Sequence, residues 1–206
     1  MAQDFEGAPE GFSLLRLAAG GGLDAQEEAR PIPPVDSWRP PFCGDIGLRI
    51  ARDGSWSQRG APILRPALVR LFSTILRKDA TGYVLATPVE SVSVEVEDAP
   101  FVAVAMRVLD DGGAPSIEFT TNVGDRARAG TAHPLRFERD ARGGLKPYVL
   151  VRGALEALVA RPLVPELVAL AQMRRVDGED SFGVVCDGAF FAIASAAEIA
   201  AIEAGA

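Results

Sequence analysis

Residues 46–71 read IGLRIARDGSWSQRGAPILRPALVRL, and residues 133–158 read HPLRFERDARGGLKPYVLVRGALEAL. Aligned without a gap at an offset of 87 residues, the two stretches share eight identities in 26 positions, where chance gives about two. The identical positions of the first stretch are Leu48, Arg49, Arg52, Asp53, Arg65, Ala67, Leu68 and Leu71. The alignment predicts an internal duplication, and the interface between two similar units is a favoured place for a ligand cleft.

The composition is that of a globular protein. The chain has 206 residues, 48% of them hydrophobic, which suffices for one substantial core or two small ones. Its net charge of −7 argues against binding to a nucleic acid polymer or an anionic membrane, because both need a basic face. The apolar stretch 14–19 is too short for a signal-peptide core, and no run approaches the about 20 apolar residues of a membrane span. We therefore expect a cytoplasmic protein.

Residues 1–40 are predicted to form an arm. Ser13 is placed to cap a short helix that ends at the glycines 20–22. Five prolines between 31 and 41 then exclude a helix, and we expect this part to lie as an extended strap over the domains. The rest of the chain divides into a first unit over 41–90 and a second unit over 91–206.

The first unit is predicted to begin with a β-hairpin. Ile46, Leu48 and Ile50 alternate with small or polar residues, which is the pattern of a strand with one buried face. Arg-Asp-Gly at 52–54 supplies the turn, and Trp56 begins the return strand.

A helix is predicted to follow this hairpin. Pro66 suits a first helical position, and apolar residues recur after it at spacings of three and four as far as Leu76. The 87-residue offset places a matching helix near Val151 in the second unit. The buried face of that second helix is predicted from Leu155, Leu158 and Val159.

Between the two predicted helices the sequence favours β-structure. Strands are predicted over 83–87, 92–96, 101–109 and 116–121, and a last hairpin over 182–194. The nearly unbroken apolar run 101–109 indicates a central strand buried on both sides. A capping box from Ser195 to Glu198 starts a terminal helix. The predicted fold class is α+β, with two related units that each combine an antiparallel sheet and a helix.

The sequence contains no catalytic, metal-binding or phosphate-loop signature. Cys43 and Cys186 lack the Cys-x-x-Cys spacing of a zinc or redox site, so two free thiols are expected. His133, the one histidine, has no nucleophile motif beside it. Two interpretations of it remain open: a hydrogen bond that fixes the start of the following strand, or a chemical role at a ligand site. The sequence thus implies no cofactor and no metal.

Acidic residues cluster near the middle of the chain. Glu95 and Glu97 share one strand face, which a solvated surface explains better than a cation site, because the closely spaced oxygen ligands of an EF-hand are missing. Glu90 and Asp98 each flank a proline-containing turn. They are therefore placed to organise backbone amides or to receive an arginine.

Arg65 and Arg152 hold equivalent positions in the two aligned stretches, each at the start of a predicted helix. A cation is unfavourable there, because the helix dipole places positive partial charge at the N-terminus. One explanation is recognition of an anion by the guanidinium group together with free helix N–H groups. The other is that each arginine pairs with an acid of its own unit, such as Asp53 or Asp140.

An ordered series of motifs resembles the proteobacterial domain-of-unknown-function family DUF1285 over roughly residues 40–175. The series is Pro-Phe-Cys-Gly at 41–44, Arg-Asp-Gly-x-Trp at 52–56, Pro-Ile-x-Arg-x-x-Leu-Val-x-Leu-Phe at 62–72, Thr-Pro-Val-Glu at 87–90, Val-Glu-Asp-Ala-Pro-Phe at 96–101, Thr-Asn-x-x-Asp at 121–125, His-Pro-Leu at 133–135 and Pro-Tyr-x-x-Val-Arg at 147–152. The resemblance implies a duplicated core, a C-terminal domain like pleckstrin-homology folds, a site between the domains for a nucleotide-like ligand, and a role in signalling. It implies no established activity.

Residues and resemblance together lead to one hypothesis of function. We expect a sensing protein that binds a small anionic, nucleotide-like ligand between its two units. An aromatic ring would stack on the ligand, two arginines would meet its charge, and acidic and amide side chains would hydrogen-bond to a sugar or base. The candidate binding residues are Trp56, Arg65, Glu90, Asp98, Asn122, His133 and Arg152.

Two other functions remain open. In the first, the protein is an interaction module whose sheet edge, or a groove beside the second helix, accepts a partner's peptide. In the second, it is an enzyme that depends on His133 or on the pair Glu97 and Asp98, although few polar groups converge there.

Overall fold

A computed structural model describes residues 32–109 and 115–204, and side chains as far as residue 200. The predicted helix capped by Ser13 and the glycines 20–22 lie outside these residues, as do residues 110–114 between the predicted strands 101–109 and 116–121.

Three sheets and three α-helices make up the described part of the chain. The first sheet contains β1 (Phe42–Ile50), β2 (Trp56–Gln58), β3 (Ala61–Pro62), β4 (Leu76–Asp79), β5 (Gly82–Ala86) and β6 (Ser91–Val96). The second contains β7 (Phe101–Leu109), β8 (Ser116–Thr121), β9 (Arg126–Arg128), β10 (Leu135–Arg139), β11 (Leu145–Arg152) and β12 (Leu155–Val159). The third contains β13 (Ala171–Val176), β14 (Glu179–Cys186) and β15 (Ala189–Ser195). The helices are α1 (Pro66–Thr74), α2 (Val164–Ala169) and α3 (Ala196–Ala204), with 3-10 turns at Val35–Ser37 and Arg161–Leu163.

The two six-stranded sheets have the same topology. Their strand orders are β3-β2-β1-β6-β5-β4 and β9-β8-β7-β12-β11-β10. In both, the first and last strands are parallel neighbours at the centre, and the other described pairs are antiparallel. We call residues 42–96 the first unit and residues 101–159 the second unit. The chain is α+β, and the matching topology supports the predicted duplication.

The predicted 87-residue offset, however, does not equate matching strands. It aligns β1 to β3 and α1 with β10 to β12, whereas the topology equates β1 with β7. Phe42 begins β1 and Phe101 begins β7, 59 residues later. The boundary predicted after residue 90 also cuts the first sheet, because β6 lies hydrogen-bonded between β1 and β5.

The second predicted helix, near Val151, is wrong. Residues 155–159 form β12, in which Leu155, Ala157 and Val159 are buried while the two residues between them are partly exposed. A spacing of two is the period of a strand. The two units therefore differ in one respect: α1 in the first unit has no helical counterpart in the described part of the second.

Most other predicted elements are confirmed. The hairpin at 46–58, the four strands of the middle region, the last hairpin and the Ser195–Glu198 capping box are all present. The run 101–109 is a central strand as predicted, but it is not buried on both sides throughout. Its first three residues are buried, whereas Val104 and Val108 are about half exposed.

A single hydrophobic cluster runs through both units. Phe72 of α1 is fully buried, as are Phe101 and Phe119 of the second unit. The proline-rich segment 32–40 is fastened to β4, because the Arg77 guanidinium donates to the backbone oxygens of Val35 and Trp38 at 2.8 Å each. Among the described residues, no helix is long and apolar enough to cross a membrane. The likeness of the second unit to pleckstrin-homology domains stays a prediction.

Candidate functional site

A cleft of about 210 Å³ lies where the two units meet, beside the N-terminus of α1. The first unit contributes apolar residues on both sides of the helix start, and the second contributes the turn between β8 and β9. The apolar lining residues are Ile63, Leu64, Pro66, Val69 and Val123. The ligand site between the units stays a prediction, and this cleft is its candidate location.

Gly54 and Asn122 join the units at this cleft. The side-chain amide of Asn122 donates to the backbone oxygen of Gly54 at 3.3 Å, and its carbonyl oxygen accepts from the Val102 N–H at 3.0 Å. Gly54 has a φ of +81°, and a Cβ there would lie 2.5 Å from the Asn122 side-chain nitrogen. Asn122 was a predicted ligand contact, and in the structure it is a tie between the units at the edge of the cleft.

Arg70 is the charged residue among the described residues that line the cleft. Its side chain is exposed on α1, one turn after Pro66. No acidic side chain in the described ranges pairs with its guanidinium group. A cation beside apolar walls, without a protein counter-ion, attracts an anionic group that carries an apolar part. Arg70 was not among the binding residues predicted from the sequence, although the helical spacing already placed it on the polar face of α1.

Arg65 and Arg152 lie at opposite ends of α1. Arg65 is the exposed N-cap residue, whereas the Arg152 guanidinium donates to the backbone oxygen of Ser73, in the last turn, at 2.6 Å. Arg152 also pairs with Asp125 and lies over the ring of Phe101 at 4.9 Å. Its side chain is 17% exposed. The structure therefore does not bring the two arginines to one site, and Arg152 pairs with an acid of its own unit.

Trp56 lies in the core. Its residue is 2% exposed, and its ring packs against Phe72 with centroids 5.9 Å apart. A buried ring presents no face to a ligand, so the stacking role predicted for Trp56 is wrong. A large aromatic residue at the start of a strand is as typical of the core as of a ligand site.

Glu90 and His133 have backbone roles outside the lining of the cleft. The backbone N–H of Glu90 donates to the Thr87 hydroxyl at 3.1 Å, within the proline-containing turn. His133 Nδ1 lies 3.0 Å from the backbone oxygen of Leu150. This contact fits the interpretation of His133 as a hydrogen bond that fixes the start of β10.

Asp98 forms a separate polar cluster in the segment between the units. Its carboxylate accepts from Lys146 Nζ at 2.6 Å and from the Tyr148 hydroxyl at 2.7 Å, and Arg52 Nε lies 3.4 Å away. Burial alone raises the pKa of Asp98, but these hydrogen bonds and the positive charges of Lys146 and Arg52 outweigh it, so the pKa lies below its ordinary value. The Asp98 carboxylate thus joins Arg52 of the first unit to Lys146 and Tyr148 of the second, which makes the cluster a structural tie.

A second hollow, of about 330 Å³, lies between β4 and the 3-10 turn Val35–Ser37. It is lined by Asp36, Arg39, Arg77 and Asp79. Arg77 is engaged with the strap and with Asp79, and Arg39 donates to the backbone oxygens of Asp36 and Trp38. Both arginines of this hollow thus donate to backbone oxygens of the strap. No group of three or more His, Cys, Asp or Glu side chains in the described ranges is arranged to hold a metal ion.

Comparison with known proteins identifies the family. Residues 33–99 match the N-terminal domain of unknown function DUF1285, and residues 100–193 match the C-terminal domain of the DUF1285 protein of unknown function. The crystal structure of a DUF1285 family protein from Silicibacter pomeroyi DSS-3 is 44% identical, with a TM-score of 0.76 over 84% of this chain and 93% of that chain.

A DUF1285 family protein from Shewanella baltica OS155 is 23% identical, with a TM-score of 0.48 over 60% of this chain and 91% of that one. No curated protein matches the chain. The two domain matches meet between residues 99 and 100, in the segment that joins the two six-stranded sheets. This chain belongs to the DUF1285 family.

Proposed function

We propose that this chain is a cytoplasmic sensing protein that binds a small anionic ligand in the cleft between its two units. The observation that carries the proposal is the Arg70 guanidinium, which lines the cleft beside apolar residues without an acidic partner in the described ranges. In other parts of the fold, arginines such as Arg77 and Arg152 are engaged in internal contacts.

The size of the cleft limits what enters it. Its 210 Å³ is below the roughly 300–1,000 Å³ of sites that enclose a drug-sized molecule. A phosphate or carboxylate with a small apolar group fits, whereas a nucleotide would leave part of itself outside. We therefore propose that one end of a nucleotide-like ligand, or a smaller anion, occupies the cleft.

The proposed roles follow from the lining. Arg70 binds the anionic group, and Ile63, Leu64 and Val69 cover the apolar part. Arg65, the exposed N-cap residue of α1, lies in the chain between the lining residues Leu64 and Pro66. Arg152 takes no part, because its guanidinium is committed to Asp125 and the end of α1.

A thermal-shift screen of the full chain against nucleotides, cyclic dinucleotides and inorganic phosphates tests the proposal. A ligand at 100 times its dissociation constant stabilises the folded state by about 2.7 kcal/mol. We expect a shift for at least one compound that is lost in Arg70→Ala and kept in Arg175→Ala, which removes an exposed arginine of β13. A shift that survives in Arg70→Ala places the ligand elsewhere, and a flat screen contradicts small-ligand binding.

One observation favours a protein-interaction module as second candidate. Strand β13 is one of the two outer strands of the third sheet, and all its residues after Ala171 are exposed. An exposed strand edge is able to accept an extended peptide by backbone pairing. Binding of a partner that is lost in Met173→Pro, together with a flat thermal-shift screen, would favour this candidate.

A further inference from the structure

The rim of the cleft carries a large apolar side chain in solvent. Leu64 is 82% exposed, and it lies beside Ile63 and close to Arg70 in the lining. A surface that combines a cation with an exposed leucine fits a peptide segment that combines carboxylates with apolar side chains.

The chain itself contains such a segment. Residues 1–31, which precede the described part, hold six acidic residues against two arginines. They also hold a run of apolar residues, Phe12, Leu14, Leu15 and Leu17. We propose that this N-terminal acidic segment docks in the cleft of its own chain, so that a ligand must displace it. The inference rests on the proposed function, because it assigns a regulator to the same cleft.

The segment is long enough to reach the cleft. The described chain begins at Ile32, and the strap that follows is fastened to β4. The cleft lies beside Ile63, directly after β3, at the opposite edge of the six-stranded sheet. Six strands at a spacing of about 4.8 Å place the two edges about 24 Å apart, whereas an extended segment of this length spans up to about 100 Å.

Charge and tethering favour this occupant over a free peptide. The segment is strongly acidic, whereas Arg70 is the charged residue among the described residues that line the cleft. A segment joined to its own binding surface has an effective concentration in the millimolar range. Weak contacts thus suffice for docking, and salt should weaken it by screening.

Hydrogen–deuterium exchange on the full chain tests the docking without any ligand. In the wild-type protein at low salt, amides within residues 1–31 are expected to exchange at least about tenfold more slowly than in Arg70→Glu. Leu64→Asp, which replaces the apolar side chain at the rim, should likewise speed the exchange of residues 1–31. Both residues are exposed, so both variants should fold. Arg175→Glu on β13 is the matched control and should leave the exchange of the segment unchanged.

The outcomes separate docking from ligand binding. Rapid exchange of residues 1–31 in the wild-type protein, or protection that Arg70→Glu leaves intact, overturns the docking. Protection that grows with protein concentration also overturns it, because the segment would then occupy the cleft of a second copy. None of these results affects the thermal-shift screen, so a ligand that needs Arg70 would still support the proposed function. Protection lost in both cleft variants, combined with a flat screen, would keep the docking and contradict ligand binding.

Discussion

At the residue scale, Asp98 shows how one carboxylate fixes the segment between the two sheets. Its side chain is 7% exposed and is surrounded by donors from both units, Arg52 of the first and Lys146 and Tyr148 of the second. The sequence predicted that Asp98 would organise a turn or receive an arginine, and Arg52 fits that prediction. The contacts from β11 were not predictable, because their partners lie about 50 residues away in the chain.

Replacing Asp98 by Asn should destabilise the protein by about 2 kcal/mol, because Lys146 loses its charged partner in a partly buried place. The folded-state pKa of Asp98 is lowered, so its contribution is complete above the ordinary Asp pKa of about 3.9 and is lost as the pH falls through the folded value. Urea unfolding of both proteins at neutral and acidic pH measures this.

Glu95→Gln is the control for that substitution. Glu95 is 67% exposed and pairs with Arg49 at 3.7 Å, a geometry for which measured ion-pair energies are about 0–1 kcal/mol. We expect its effect at neutral pH to be small. An Asp98→Asn protein that keeps wild-type stability at neutral pH would contradict the role of Asp98 as a stabilising contact between the two units.

At the element scale, the spacing of the hydrophobic residues decided which predicted elements were confirmed. The strands of the middle region show clear alternation, such as Val92 and Val94 around Ser93, and the structure has them as β6. β12 was predicted as a helix because the 87-residue offset aligns it with α1, and because Leu155, Leu158 and Val159 fit a buried helical face. Ala157 is the buried residue that completes the strand pattern, but its small side chain gives a weak hydrophobic signal.

The turn between β1 and β2 offers a test of how the first unit meets the second. Gly54→Ala forces a positive φ on alanine and places its Cβ against Asn122 and Val102. We expect a loss of stability of about 3 kcal/mol, from left-handed strain of about 1–2 kcal/mol and the remainder from the displaced contact. Thermal or urea unfolding measures the change.

Gly60→Ala separates these two causes. Gly60 has the same φ of +81°, but a Cβ there meets nothing within 4 Å. Its substitution should therefore cost only the backbone strain, and the difference between the two variants measures the contact between the units. Equal losses would show that the contact with Asn122 contributes nothing to stability.

At the scale of the whole molecule, the sequence predicted two related units but not how they join. The identities at an offset of 87 residues lie in segments that are not structurally equivalent. The strands that do match, β1 and β7, share their place in the sheet topology rather than their sequence. Arg152 is an example. Its position in the repeat left open an anion site or a pair with an acid of its own unit. In the structure its guanidinium pairs with Asp125 of its own unit and ties the end of α1 to the second unit.

Arg152→Lys should destabilise the protein by about 2 kcal/mol or more. An ammonium group cannot donate to both Asp125 and the Ser73 oxygen in the planar geometry of the guanidinium group. The cleft at the other end of α1 should keep its ligand affinity. Unfolding curves and the thermal-shift response together measure both effects.

Arg126→Lys is the control. Its side chain is 69% exposed, so the substitution should change stability by less than about 0.5 kcal/mol. Loss of ligand affinity in a stable Arg152→Lys protein would contradict the assignment of the cleft to Arg70.

The central pairing of first and last strands also has a consequence for synthesis on the ribosome. β1 cannot complete its pairing until β6 has emerged, and β7 must likewise wait for β12. Such long-range pairing is slow to form, because the intervening chain must first be ordered. The first sheet is nevertheless complete in sequence at residue 96, before any strand of the second has been made. Translation therefore allows the two halves to fold one after the other, and it limits mispairing between strands of similar topology.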